Sequence, residues 1–114
     1  MIMHIMKYTA MKQILLDGVY TPSSLEKEGF IHCSTPEQLL GVANSLYKGE
    51  TGLMLMLIDE NKVEADIVYE DLYDTGKLFP HIYGPINFDA VIRMVEFTPT
   101  GVDGSFKMPE GVME

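Results

Sequence analysis

Leu53-Met54-Leu55-Met56-Leu57-Ile58 lies between Gly52 and Asp59 with no polar residue inside it. Six residues fall far short of the roughly 20 that cross a bilayer. A strand with one wet face alternates apolar and polar side chains, and this run has no polar face. It predicts a central strand buried on both sides, so the rest of the chain must supply a layer on each side of it. The chain has 114 residues, 46% of them hydrophobic. That is enough for a single domain over residues 1–114, with a core from about 2 to 98 and a loosely docked tail from 99 to 114.

Local signals place the other elements. Ile2 to Tyr8 is apolar enough for a first strand. Thr9 can cap a helix through Met11, Ile14 and Leu15, with Asp17-Gly18 as its stop. Thr21-Pro22-Ser23-Ser24 is turn chemistry, and Phe30-Ile31-His32-Cys33 a short strand. Thr35-Pro36-Glu37-Gln38 is the strongest local signal: an N-cap Thr, Pro at the first helical position, and Gln three residues after the cap. Leu39, Leu40, Ala43, Leu46 and Tyr47 follow as one apolar stripe, and Gly49 is placed to end the helix. Ile67 to Glu70 predicts a short strand, Asp71 to Lys77 a polar loop, and Ala90 to Thr98 a last strand. Phe106 is expected to dock a tail that frays at its end. The sum is an α+β fold with two helices in the N-terminal half.

The charge restricts function. Eight Lys and Arg stand against 17 Asp and Glu, a net charge of −9. A dedicated nucleic-acid binder or an electrostatic membrane clamp needs the opposite balance. The N-terminus has no charged region and no small-residue cleavage site, so the expectation is a cytoplasmic protein. Cys33 is the only cysteine, which excludes an internal disulfide or a Cys-rich zinc site. No Gly-rich dinucleotide turn, Walker loop or nucleophile elbow is present.

Two clusters could carry chemistry. In an extended Phe30 to Ser34, Ile31 and Cys33 share one face, and Phe30, His32 and Ser34 the other. Cys33 then reads as a core thiol. His32 and Ser34 sit just before a helix N-terminus, where free N–H groups favour an anion; the alternative is a plain capping role. In Pro80-His81-Ile82-Tyr83-Gly84-Pro85, His81 and Tyr83 share a face. There Tyr83 can stack on a ring and Gly84 permits close backbone approach, or the segment is a rigid loop over the core. His4, His32 and His81 lack metal-ligand spacing, so no metal site is expected. The acids from Asp59 to Asp74 predict a solvated rim. Neither Phe30 to Pro36 nor Leu78 to Asn87 contains an acid, which predicts a locally non-acidic pocket for an anionic ligand.

Gly29-Phe30-Ile31-His32-Cys33-Ser34-Thr35 and Leu78-Phe79-Pro80-His81-Ile82-Tyr83-Gly84-Pro85-Ile86, with Tyr20 to Leu25 upstream and Asp89-Ala90-Val91 downstream, resemble a bacterial family catalogued as domain of unknown function 952. The resemblance spans about Ile2 to Phe97. It implies a fold similar to ADP-ribosyltransferases: split small β-sheets around a central cleft that holds NAD in active members. On that likeness His32 and Tyr83 are the catalytic candidates, and His4, Ser34, Thr35, His81 and Gly84 line the ligand. NAD or an NAD-derived nucleotide is the implied substrate or ligand. A non-catalytic module for a small anionic metabolite is the alternative. A third branch, acting on RNA 2′-phosphates, needs basic residues, and Arg93 is the only arginine. Loss of nicotinamide develops positive charge on the ribose, which a carboxylate stabilises. The third motif offers none, so transferase activity is left open.

Overall fold

A computed structural model of the chain describes residues 1–112. The apolar run is β4, Leu53–Ile58, and all six of its residues are buried. It is the middle strand of an antiparallel sheet, between β1, Ile2–Lys7, and β8, Val91–Phe97. Strand alternation sends Met54, Met56 and Ile58 into one core, and Leu53, Leu55 and Leu57 into another on the opposite face. β1 divides in the same way, with Ile2 and Met6 in the first core and Met3 in the second.

The second core is closed by α3, Pro36–Leu46, and by the chain end. Gln38 Oε1 accepts the Thr35 N–H at 3.1 Å, and Leu39 and Ala43 are buried against the sheet. Leu46, expected in the stripe, is mostly exposed, because the helix closes there rather than at Gly49. The Gly49 N–H instead donates to Gly104 O at 2.8 Å, which ties the chain end down. Phe106 stacks on Phe97 at 4.5 Å, and Val112 is also buried, so the tail is docked more firmly than expected. The fraying expected at the very end falls on Met113 and Glu114, which lie outside the described residues.

The first core is closed by the remaining elements. These are α1, Met11–Asp17; β2, Val19–Tyr20; α2, Ser23–Glu28; β3, Ile31–His32; β5, Asp66–Glu70; β6, Phe79–Tyr83; and β7, Ile86–Asn87. They add a β2–β7 ribbon and a sheet in the order β3–β6–β5, all antiparallel. The fold is thus α+β with small antiparallel sheets and few helices. Among the described residues there are three α-helices, not two. The expected turn at Thr21–Ser24 opens α2 instead, with Pro22 at its N-cap and Gly29 closing it at φ +88°. Among the described residues no helix is long and apolar enough to cross a membrane.

Candidate active site on the outer face of the small sheet

β6 is the middle strand of the three-stranded sheet. His81 faces His32 of β3 on one side and Val68 of β5 on the other. Directly opposed residues share a face, so His32, His81 and Tyr83 stand together with Val68 and Glu70. Ile31, Ile67 and Ile82 occupy the other face and enter the first core. The histidines are therefore on the side of the sheet turned away from that core.

Phe30 holds the cluster together. Its ring stacks on His81 at 4.2 Å, meets His32 edge-on at 4.8 Å and lies 5.4 Å from Tyr83. It is only 5% exposed, packed against His32, His81 and Tyr83. Such aromatic pairs stabilise beyond the area they bury. His32 and His81 are 5.5 Å apart, ring to ring. His32 and Tyr83, expected in one site, both lie against Phe30 on this face.

Two carboxylates enter from elements that neither motif contains. Glu28, at the end of α2, accepts from His32 Nε2 at 2.6 Å. Glu70 Oε1 accepts from His81 Nδ1 at 2.9 Å and also from the Tyr83 hydroxyl. The expected non-acidic pocket is thus incorrect: the motifs lack acids, but the helix–strand turn and the β5–β6 pairing bring two to them. The Tyr83 bond, with that of His81 behind it, holds the Glu70 carboxyl below its ordinary range. The same bond pushes the Tyr83 hydroxyl up. His81 is 2% exposed, and with Nδ1–H committed to Glu70 its Nε2 has no partner among the described residues. A carboxylate on Nδ1 orients an imidazole and leaves Nε2 for proton exchange.

His4 stands behind this face, not in it. A carbonyl only accepts, so the 2.6 Å bond to His32 O places the proton on His4 Nδ1. Nε2 then accepts from the Tyr20 hydroxyl at 2.8 Å. Burial lowers the His4 pKa from 6.5 to about 4, so the ring is neutral at pH 7. Both nitrogens serve the protein, and the expected ligand-lining role for His4 gives way to fixing the backbone of β3. A hollow of about 320 Å³ lies beyond Tyr20, bounded by Lys7, Gln13 and Thr21 among others.

The remaining candidates are structural. β3 stops at His32, so Ser34 leaves the Phe30–His32 face. It is buried, its N–H and C=O both bonded to Met3 at 2.8 Å. Thr35 is the N-cap of α3, and its N–H donates to Gln38 Oε1. A Cβ on Gly84 would sit 2.8 Å from Ala65 Cβ, so the close approach there is by Ala65. Cys33 is buried in the first core and burial pushes its thiol up, in line with a core role. Among the described residues no three His, Cys, Asp or Glu side chains converge to hold a metal.

The chain belongs to the family described as a protein of unknown function, DUF952, whose model matches residues 5–94. The fold is similar to that of protein CC0527 from Caulobacter crescentus. Its crystal structure superposes with a TM-score of 0.80 at 24% identity, covering 93% of this chain and 92% of that one. Its solution structure gives 0.76 at 25% identity, over 91% and 89%. No curated protein matches the chain.

Proposed function

We propose that the outer face of the β3–β6–β5 sheet is an acid–base active site for a nucleotide-like ligand, with NAD or a nucleotide derived from it as the substrate class. The observation that carries this reading is the Glu70 carboxylate held by both His81 and Tyr83. It supplies the negative charge absent from the third motif, beside the two residues expected to touch ligand. A carboxylate whose pKa is lowered stays ionised near neutral pH, which suits stabilisation of a developing cation rather than proton donation.

In the proposed step the ribose C1′–N bond breaks and its electron pair leaves with nicotinamide. Glu70 stabilises the positive charge on the ribose. A water or acceptor hydroxyl forms the new bond to C1′ and gives its proton to His32, oriented by Glu28. The likeness to ADP-ribosyltransferases rests on the motifs, and this chemistry is the reading they suggest for the cluster.

A second reading is a non-catalytic module for a small anionic metabolite. The near-complete burial of His81 favours it, because a buried imidazole reaches a substrate poorly. Incubation of the pure protein with NAD, with release of nicotinamide followed beside calorimetric binding, separates the two. Release lost in Glu70→Gln and His32→Ala supports the enzyme. Binding without release supports the module, and a result of neither binding nor release overturns the NAD reading.

A further inference from the structure

Tyr73 stands in the loop between β5 and β6, outside both motifs. Its ring is 59% exposed and lies 20° from parallel with the imidazole of His32, centroids 6.2 Å apart. The same cluster contains a parallel pair in full contact, Phe30 and His81, at 23° and 4.2 Å. Tyr73 and His32 thus have the same parallelism with 2.0 Å more between them. Stacked carbons sit about 3.5–4.0 Å apart, so a ring between two rings needs roughly 7 Å from first to third. Tyr73, on its exposed loop, moves outward to admit one.

The loop is built to present this side chain. The Asp71 carboxylate accepts from the N–H groups of Thr75 at 2.8 Å and Gly76 at 2.7 Å, and from the Thr75 hydroxyl at 3.0 Å. These bonds close the loop on itself around residues 72–74, and Tyr73 within it stays exposed. Leu72 and Leu78 beside it are also more than half exposed. Gln38 of α3 donates to Leu78 O at 2.7 Å, which anchors the far end of the loop. An exposed apolar rim therefore borders the hydrogen-bonded pairs Glu28–His32 and Glu70–His81. Exposed apolar side chains grouped beside polar ones are characteristic of a binding site. His32 commits Nε2 to Glu28, and its Nδ1 has no partner among the described residues, so the clamp carries a polar group at its edge.

We propose that Tyr73 and His32 form a clamp for the flat heteroaromatic ring of a nucleoside or nucleotide. The inference rests on the nucleotide reading above for its ligand class and assigns the residue that holds the ring.

The test is an NMR titration of the wild-type protein with adenosine, with nicotinamide, and with ribose 5-phosphate as a probe lacking a ring. Adenosine or nicotinamide should move the Tyr73 and His32 ring resonances upfield, and ribose 5-phosphate should not. Affinity for the ring probe should fall about tenfold in Tyr73→Ala and return in Tyr73→Phe. Unmoved Tyr73 and His32 resonances, or equal affinity in Tyr73→Ala, overturn the clamp. Ring binding retained in a wild-type protein that releases no nicotinamide supports the clamp while the proposed chemistry fails. Nicotinamide release with a KM unchanged in Tyr73→Ala sinks the clamp while that chemistry stands.

Discussion

His81 donates its Nδ1–H to Glu70 Oε1 at 2.9 Å, which joins the middle strand of the small sheet to its edge strand. The two residues lie on one face because Glu70 opposes Phe79, two residues before His81, and a diagonal neighbour is within reach of a long side chain. The Tyr83 hydroxyl bonds the same oxygen. One carboxylate thereby sets the proton position on His81 and the orientation of Tyr83.

That sharing can be read from Tyr83. Its hydroxyl is pushed up first by the bond to Glu70, since the carboxylate favours the protonated phenol. In Glu70→Gln the phenol loses the charged acceptor, and its titration should move to lower pH. Phenolate absorbance followed against pH, with Tyr83→Phe to assign the transition, measures the shift. A Tyr83 titration identical in the two proteins would mean that Glu70 does not hold it.

How much of this was legible in the sequence depends on the span of the interaction. β4 was readable because six consecutive apolar residues admit one placement, between two layers. α3 was readable because its cap, its Pro and its stripe agree within a dozen residues. α2 was missed because its only apolar residue is Leu25, so no period exists to detect, and Pro22 and two serines imitate a turn. Alternation puts Cys33 and His32 on opposite faces, and each lies there. Glu28 gives no signal and Glu70 stands only beside Asp71 as a possible acid unsupported by spacing, because their partners come from a helix end running into a strand and from strand pairing. Neither leaves a mark in the motif itself. Ser34 departs because its backbone pairs with Met3 of β1 instead of continuing β3.

Phe30 links the two histidines, so its loss should be felt in stability and in the site together. Replacing a buried Phe with Ala typically costs about 3–5 kcal/mol. Phe30→Ala should lose an amount in that range by urea unfolding, and Phe30→Leu less. The His81 ring protons should move downfield in both variants, because the ring stacked on them at 4.2 Å is gone. Unchanged His81 resonances in a folded Phe30→Leu protein would contradict the stacking.

His4 predicts a pH dependence of folding. Its pKa is lowered to about 4 in the folded chain, chiefly by burial, against 6.5 unfolded. Between those values the unfolded chain binds a proton that the folded chain does not. Stability then rises with pH, and as pH falls from about 6.5 towards 4 it drops by up to about 3 kcal/mol. Above about 6.5 this contribution to the slope vanishes. Urea unfolding at several pH values measures it, and His4→Gln should flatten the profile in that window. An equally steep profile in the variant would show that His4 titrates normally in the folded state.

Gly84 separates a packing role from a ligand role by the company it keeps. A methyl group at residue 84 would sit 2.8 Å from Ala65 Cβ, closer than real side-chain carbons approach. Gly84→Ala should therefore cost about 1–3 kcal/mol through overpacking. Ala65→Gly alone should cost less, about 0.5–1 kcal/mol from backbone freedom. If the clash is the cause, removing the Ala65 methyl relieves it. The double variant should then be more stable than the two single losses added together, by about 1 kcal/mol or more. Strictly additive losses would mean that Ala65 is not what requires Gly84. In that case nicotinamide and adenosine titrations of Gly84→Ala would show whether the small residue instead leaves room for a ligand beside Tyr83.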